Sequence, residues 1–260
     1  MNLYGFFEDI KNYIKKADLA ENIDILTSTH SECDDFMATS GSYFKDRTTA
    51  KRICNEYLNL YDSLNKLKCI TNIVSNYKEC SKFLNYWINF KLRESMHNGD
   101  DSFCTVYNAL DSQITFNSLY DISVNFIYDI NKDDFYKMNI LYRLYKKYTD
   151  IDGILENADD MVKRTLLSYS TACCTDYLEA KYICNDGNDD DSNNSQFCTQ
   201  LKKFEKTYES LYDTEIGRNP EYMNYFKKLS ECKNTNVTST ALIGTTVGLI
   251  PLMVGLYKVK

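Results

Sequence analysis

The sequence predicts an all-α protein: a cysteine-bearing multi-helix bundle followed by a C-terminal transmembrane helix. Three observations carry this expectation. Apolar residues recur at three- and four-residue spacing through most of the chain, and the period-two alternation of a half-buried strand is nearly absent. Helix breakers are scarce ahead of Asn236, with one proline and six glycines. Finally, no charge occurs from Asn234 to Tyr257, a run of 24 residues. The expected organisation is a helical domain over 1–233 with an acidic loop at 185–194, a membrane-spanning segment over 234–257, and a short basic tail over 258–260.

Taken in order, residues 1–18 read as a first helix, with Phe6, Phe7, Ile10, Tyr13, Ile14 and Ala17 on one face. The polar stretch 28–46 reads as a connection. The clearest stripe follows at Ala50, Ile53, Cys54, Tyr57, Leu60, Tyr61, Leu64 and Leu67, with Asp46 as N-cap. Residues 76–95 place Cys80, Phe83, Leu84, Trp87, Ile88 and Leu92 together, and Asn98-Gly99-Asp100 ends that helix. Over 102–131 a mixed helical pattern has Cys104, Tyr107, Leu110, Ile114 and Leu119 as its apolar side.

Phe135, Met138, Leu141, Tyr142, Tyr145 and Tyr148 then define a helix over 134–148, and 154–184 forms one long helix or a pair. After the acidic loop a helix runs from Gln196 to Asp213, and a shorter one covers 221–231. The core is expected at Ile53, Cys54, Phe83, Leu84, Trp87, Leu141 and Tyr145, with Trp87 held between the 50–67 and 135–148 helices. Placement at the two edges of the acidic loop predicts a disulfide between Cys184 and Cys198; two separately buried thiols are the alternative.

About 20 helical residues cross the roughly 30 Å hydrocarbon layer. In the last run Leu242, Ile243, Val247, Leu249, Ile250, Leu252, Met253, Val254 and Leu256 favour insertion by about 4 kcal/mol together, an amount eroded by Gly244, Gly248, Gly255 and Pro251. Tyr257 and Lys258 suit an interface. The run therefore reads as a membrane anchor; its other reading is a last helix packed into the body. Gly244 and Gly248 also match the small-xxx-small pattern of helix self-association.

Net charge of −7 and pI near 5 argue against nucleic acid as a partner. The N-terminus lacks the basic start of a signal peptide, while ten cysteines hint at an oxidising compartment. No cofactor, metal or catalytic residue is expected. The two histidines, His30 and His97, seed no zinc site, and no Cys-x-x-Cys occurs. An EF-hand reading of the acidic loop from Asp186 would put Asp191 where glycine is needed and Phe197 where glutamate is needed. Cys173-Cys174 has no neighbouring base in sequence, and neither a Gly-rich phosphate loop nor a nucleophile elbow is present.

Two stretches resemble a known family. Cys80-Ser-Lys-Phe-Leu-Asn-Tyr-Trp-Ile-Asn-Phe-Lys-Leu92 looks like the cysteine plus Tyr-Trp core helix of the Plasmodium interspersed repeat (PIR, Vir-like) superfamily. Tyr142-Arg-Leu-Tyr-Lys-Lys-Tyr-Thr-Asp-Ile151 is similar to its downstream Leu-Tyr-x-Tyr-x-x-Asn-Tyr-x-x-Ile element, with Lys147 in the Asn position. Cys54, the Cys173–Tyr177 region and the glycine-bearing C-terminal run fit as well, although only three residues follow Tyr257 where members usually carry a longer tail. The resemblance implies a non-enzymatic, membrane-anchored variant antigen exported to the infected red cell, with an unknown host or parasite protein as ligand. The alternative is a soluble or membrane-peripheral helical interaction protein.

Overall fold

The amphipathic stripes fold into helices, and a computed structural model describes residues 2–23, 31–66, 77–97, 99–115, 130–156, 162–185 and 192–233. A 3-10 turn at Gly5–Asp9 leads into α1 (Ile10–Glu21), followed by α2 (Ser31–Ser40), α3 (Arg47–Lys66), α4 (Tyr77–Ser95) and α5 (Gly99–Thr115). The second half contains α6 (Lys132–Glu156), α7 (Val162–Asn185), α8 (Ser192–Leu211) and the short α9 (Pro220–Met223). Among the described residues there is no strand, only an isolated bridge between Phe44 and Met96. The architecture there is all-α. No helix among the described residues is long and apolar enough to cross a membrane. The expected span, with Leu242, Ile243, Gly244, Gly248, Leu249, Pro251, Leu252 and Tyr257, lies outside the described residues.

Aromatic side chains join the helices. Tyr13 of α1 stacks on Phe83 of α4 at 4.8 Å, and Phe6 lies 5.6 Å from Tyr86. Tyr145 of α6 meets Phe204 of α8 edge-on at 5.1 Å. Ile53, Cys54, Phe83, Leu84, Trp87, Leu141 and Tyr145 are all buried. Trp87 packs 6.4 Å from Tyr57 of α3 and donates Nε1–H to Glu21 of α1 at 3.1 Å. The expected place against the 135–148 helix is taken by its neighbour Tyr86, 5.4 Å from Tyr142 and donating to Asn139 at 2.7 Å. One residue turns a helix by about 100°, so adjacent aromatics serve different neighbours.

Several expectations are corrected. The polar stretch 28–46 holds a helix, α2, because Cys33, Phe36 and Ser40 make a narrow buried stripe and Cys33 is bonded to Cys54 with Cα atoms 5.4 Å apart. On α5 the buried residues are Phe103, Val106 and Leu110, while Cys104 is exposed. Of the two readings of 154–184, the single long helix is the one overturned: two helices share the stretch, with Leu155 at the end of α6 and α7 starting at Val162. Helix α8 begins at Ser192, four residues before the expected Gln196. The shorter helix expected over 221–231 is reduced to α9 and a 3-10 turn at Leu229–Glu231. Asp46 does cap α3, accepting from the Thr48 N–H at 3.4 Å and from the Thr48 and Thr49 hydroxyls.

Candidate functional site

The described chain closes at Lys233, immediately before the uncharged run, on a strap that four ties hold to the body. Ser170 and Cys174 lie one turn apart on the same face of α7, and α8 presents Phe204, Tyr208 and Leu211 at helical spacing. The strap, Phe226–Cys232, is tied to both helices. Phe226 is buried, its ring 4.9 Å from Tyr208 and 5.9 Å from Tyr212. The Tyr208 hydroxyl donates to the Lys227 carbonyl at 2.9 Å, and the Lys227 N–H donates to Ser170 Oγ at 3.1 Å. Ser170 in turn donates to the Leu166 carbonyl at 2.8 Å. Cys232 closes the set through a disulfide to Cys174, Cα atoms 5.3 Å apart.

The electrostatics follow from this packing. Burial raises the Tyr208 hydroxyl well above its ordinary pKa, so it remains a donor. The Lys228 ammonium sits 3.8 Å from the centre of the Tyr212 ring. Cys173 is a free, buried thiol whose pKa burial pushes up to about 12; Lys147 opposes this shift and Asp176 reinforces it. Its side chain diverges from that of Cys174 by about 100°, so the adjacent cysteines have separate fates. Thiol–disulfide exchange needs the thiolate, and a thiol this weakly acidic leaves the neighbouring disulfide unshuffled.

A chemical contrast follows. With iodoacetamide at pH 8, native Cys104, which is exposed, should be alkylated on the order of 100-fold faster than Cys173. Peptide mass spectrometry after timed quenching reads both rates, and comparable rates would contradict the burial of Cys173.

Cys184 and Cys198 are joined, Cα atoms 5.7 Å apart, on either side of the acidic stretch. That distance is well inside the separation a disulfide tolerates. The 184–198 ring is nested within the larger 174–232 ring. Cys80 is also disulfide-bonded, and Tyr13 Oη lies 3.4 Å from its sulfur.

Two clefts accompany this framework. One, of about 230 Å³, lies along the strap between Tyr208, Tyr212 and Leu229. The other, of about 450 Å³, lies between α1 and α8 and carries Glu8, Lys11, Lys203 and Lys206. Three of these side chains are engaged in structural contacts: Glu8 accepts from Lys203 and Gln200, and Lys11 donates to Tyr148 at 2.9 Å. Hydrogen bonding from Lys203 lowers the Glu8 pKa and keeps this carboxylate ionised in the pair. No group of His, Cys, Asp and Glu able to hold a metal ion occurs among the described residues.

The structure thus gathers the expected core residues and the Cys184–Cys198 pair, while the candidate span residues fall outside the described residues. The strap was not foreseen. Its signal in the sequence is slight: Phe226, Leu229 and Cys232 at three-residue spacing, in a stretch otherwise polar. No family model, no curated protein and no solved structure matches this chain.

Proposed function

We propose that the chain is a non-enzymatic, membrane-tethered interaction protein of the PIR-like kind, its disulfide-stapled helical body displayed on a C-terminal anchor. The observation that carries this reading is the direct succession of a clamped strap and an uncharged run. Four ties hold Phe226–Cys232 to the body, and 24 residues without a charge begin two positions after Cys232. A run of that length is sufficient to span a bilayer. The disulfides Cys33–Cys54, Cys174–Cys232 and Cys184–Cys198 suit a body that matures in an oxidising compartment.

The residues of the two PIR-like stretches have structural roles consistent with that resemblance. Phe83, Tyr86 and Trp87 join α4 to α1, α3 and α6, and Tyr145 joins α6 to α8. Display on an infected red cell and binding to a host or parasite protein are parts of the same proposal. Sodium carbonate extraction of membranes from cells expressing the full chain tests the anchor. Retention in the pellet is expected, and release to the supernatant would favour a last helix packed into the body.

A further inference from the structure

We infer that the Cys174–Cys232 disulfide is a mechanical clasp: it passes tension arriving from the C-terminal run directly into the middle of α7 and keeps residues 175–231 unloaded. The inference rests on the tether reading for its role in the cell, but the clasp itself is a property of the described body.

Without the disulfide, a pull on Lys233 would meet the strap's ties one at a time. The Ser170 and Tyr208 hydrogen bonds and the Phe226 ring contact come in turn as the strap lifts. Individual hydrogen bonds that break one after another resist a pull only weakly, so such a strap peels readily. With the disulfide in place the load bypasses all of them and enters α7 at Cys174.

The segment beyond the entry point is held to α6 independently. Two residues on, the buried carboxylate of Asp176 binds both Arg143 (3.0 Å) and Lys147 of α6, and Arg143 also reaches Glu179 at 2.9 Å. These charge-assisted contacts hold the turn of α7 just beyond Cys174 on α6, so the segment that the disulfide spares from load stays docked. Cys173, buried and protonated beside the bond, does not supply a thiolate that would open it. The nested Cys184–Cys198 ring and the whole of α8 lie inside the bypassed segment.

Optical-tweezer stretching of the full chain in detergent, with handles on its two ends, tests the clasp without reference to the anchor. The disulfide encloses a separation of 58 residues, of which 14 remain enclosed by Cys184–Cys198. Fully stretched wild-type chain should thus be about 150 Å shorter than Cys174→Ala/Cys232→Ala, at roughly 3.5 Å per released residue. The variant should also show an early low-force step, the strap peeling, that the wild type lacks. Dithiothreitol added after unfolding opens every disulfide, so the wild type and Cys174→Ala/Cys232→Ala should then reach the same length, which assigns the earlier difference to this bond whether or not the variant folds. Equal lengths before reduction, or the low-force step in the wild type, would overturn the clasp, whereas failure of carbonate retention would overturn only the anchor.

Discussion

Replacing Cys174 and Cys232 together with alanine is expected to lower the stability of the body by about 4 kcal/mol, from the chain entropy restored on opening a ring of that size. The bond separates its cysteines by 58 residues, the widest of the disulfides Cys33–Cys54, Cys174–Cys232 and Cys184–Cys198. Removing both sulfurs avoids leaving an orphan thiol beside Cys173. The remaining ties of the strap, Phe226 on Tyr208 and the two hydrogen bonds to Lys227, then have to hold it alone. Urea denaturation followed by circular dichroism, without reductant, measures the effect. Cys184→Ala/Cys198→Ala should cost less, about 3 kcal/mol or below, because its ring is shorter and already confined within the larger one. An unchanged midpoint for the 174/232 variant would show that the ring contributes nothing to the native state.

Trp87→Ala is expected to cost about 3–5 kcal/mol, the usual range for emptying a buried indole site. The side chain is 1% exposed, and three interactions disappear with it. These are packing on Tyr57, the hydrogen bond to Glu21, and a Lys91 ammonium 5.3 Å from the ring. Glu21 and Lys91 are paired at 2.9 Å, and Lys91 also lies 3.6 Å from the buried Glu56. Loss of the indole therefore opens a cavity beside a charged network that depends on exclusion of water. Trp87→Phe keeps a ring but abandons the bond to Glu21, so a cost of about 1–2 kcal/mol is expected. Because Trp87 is the one tryptophan of the chain, circular dichroism must follow the variants. A loss below 1 kcal/mol for Trp87→Ala would show that the indole does not fill this site.

Much of this architecture was legible from periodicity. The helices over 50–67, 76–95 and 134–148 are present with boundaries moved by a few residues, the last extended to Lys132–Glu156. These are long stripes, and a wide apolar face marks its helix whatever lies opposite. Helix α2 was not legible. Its buried stripe is three residues wide, Cys33, Phe36 and Ser40, and its hold on the body is a disulfide to Cys54 that local patterning does not encode. On α5 the expected face was rotated by one residue, toward Cys104, because Phe103, Cys104, Val106 and Tyr107 offer two overlapping apolar stripes. Only the neighbouring helices decide which of two such faces turns inward.

The candidate site divides along the same line. The Cys184–Cys198 pair was readable because both cysteines flank one loop, so a local argument sufficed. The strap brings Ser170, Cys174, Tyr208 and Phe226 together across more than fifty residues of chain, and no local pattern records that meeting. By itself the sequence determined the helical class, the core stripes and the existence of an uncharged 24-residue run, because each depends on spacing along a single segment. Tertiary structure alone decided which adjacent aromatic faces which helix, which of Cys173 and Cys174 is bonded, and that the strap before the run is clamped. Those outcomes depend on surfaces and thiols contributed by distant segments, and they exist only once the helices have packed.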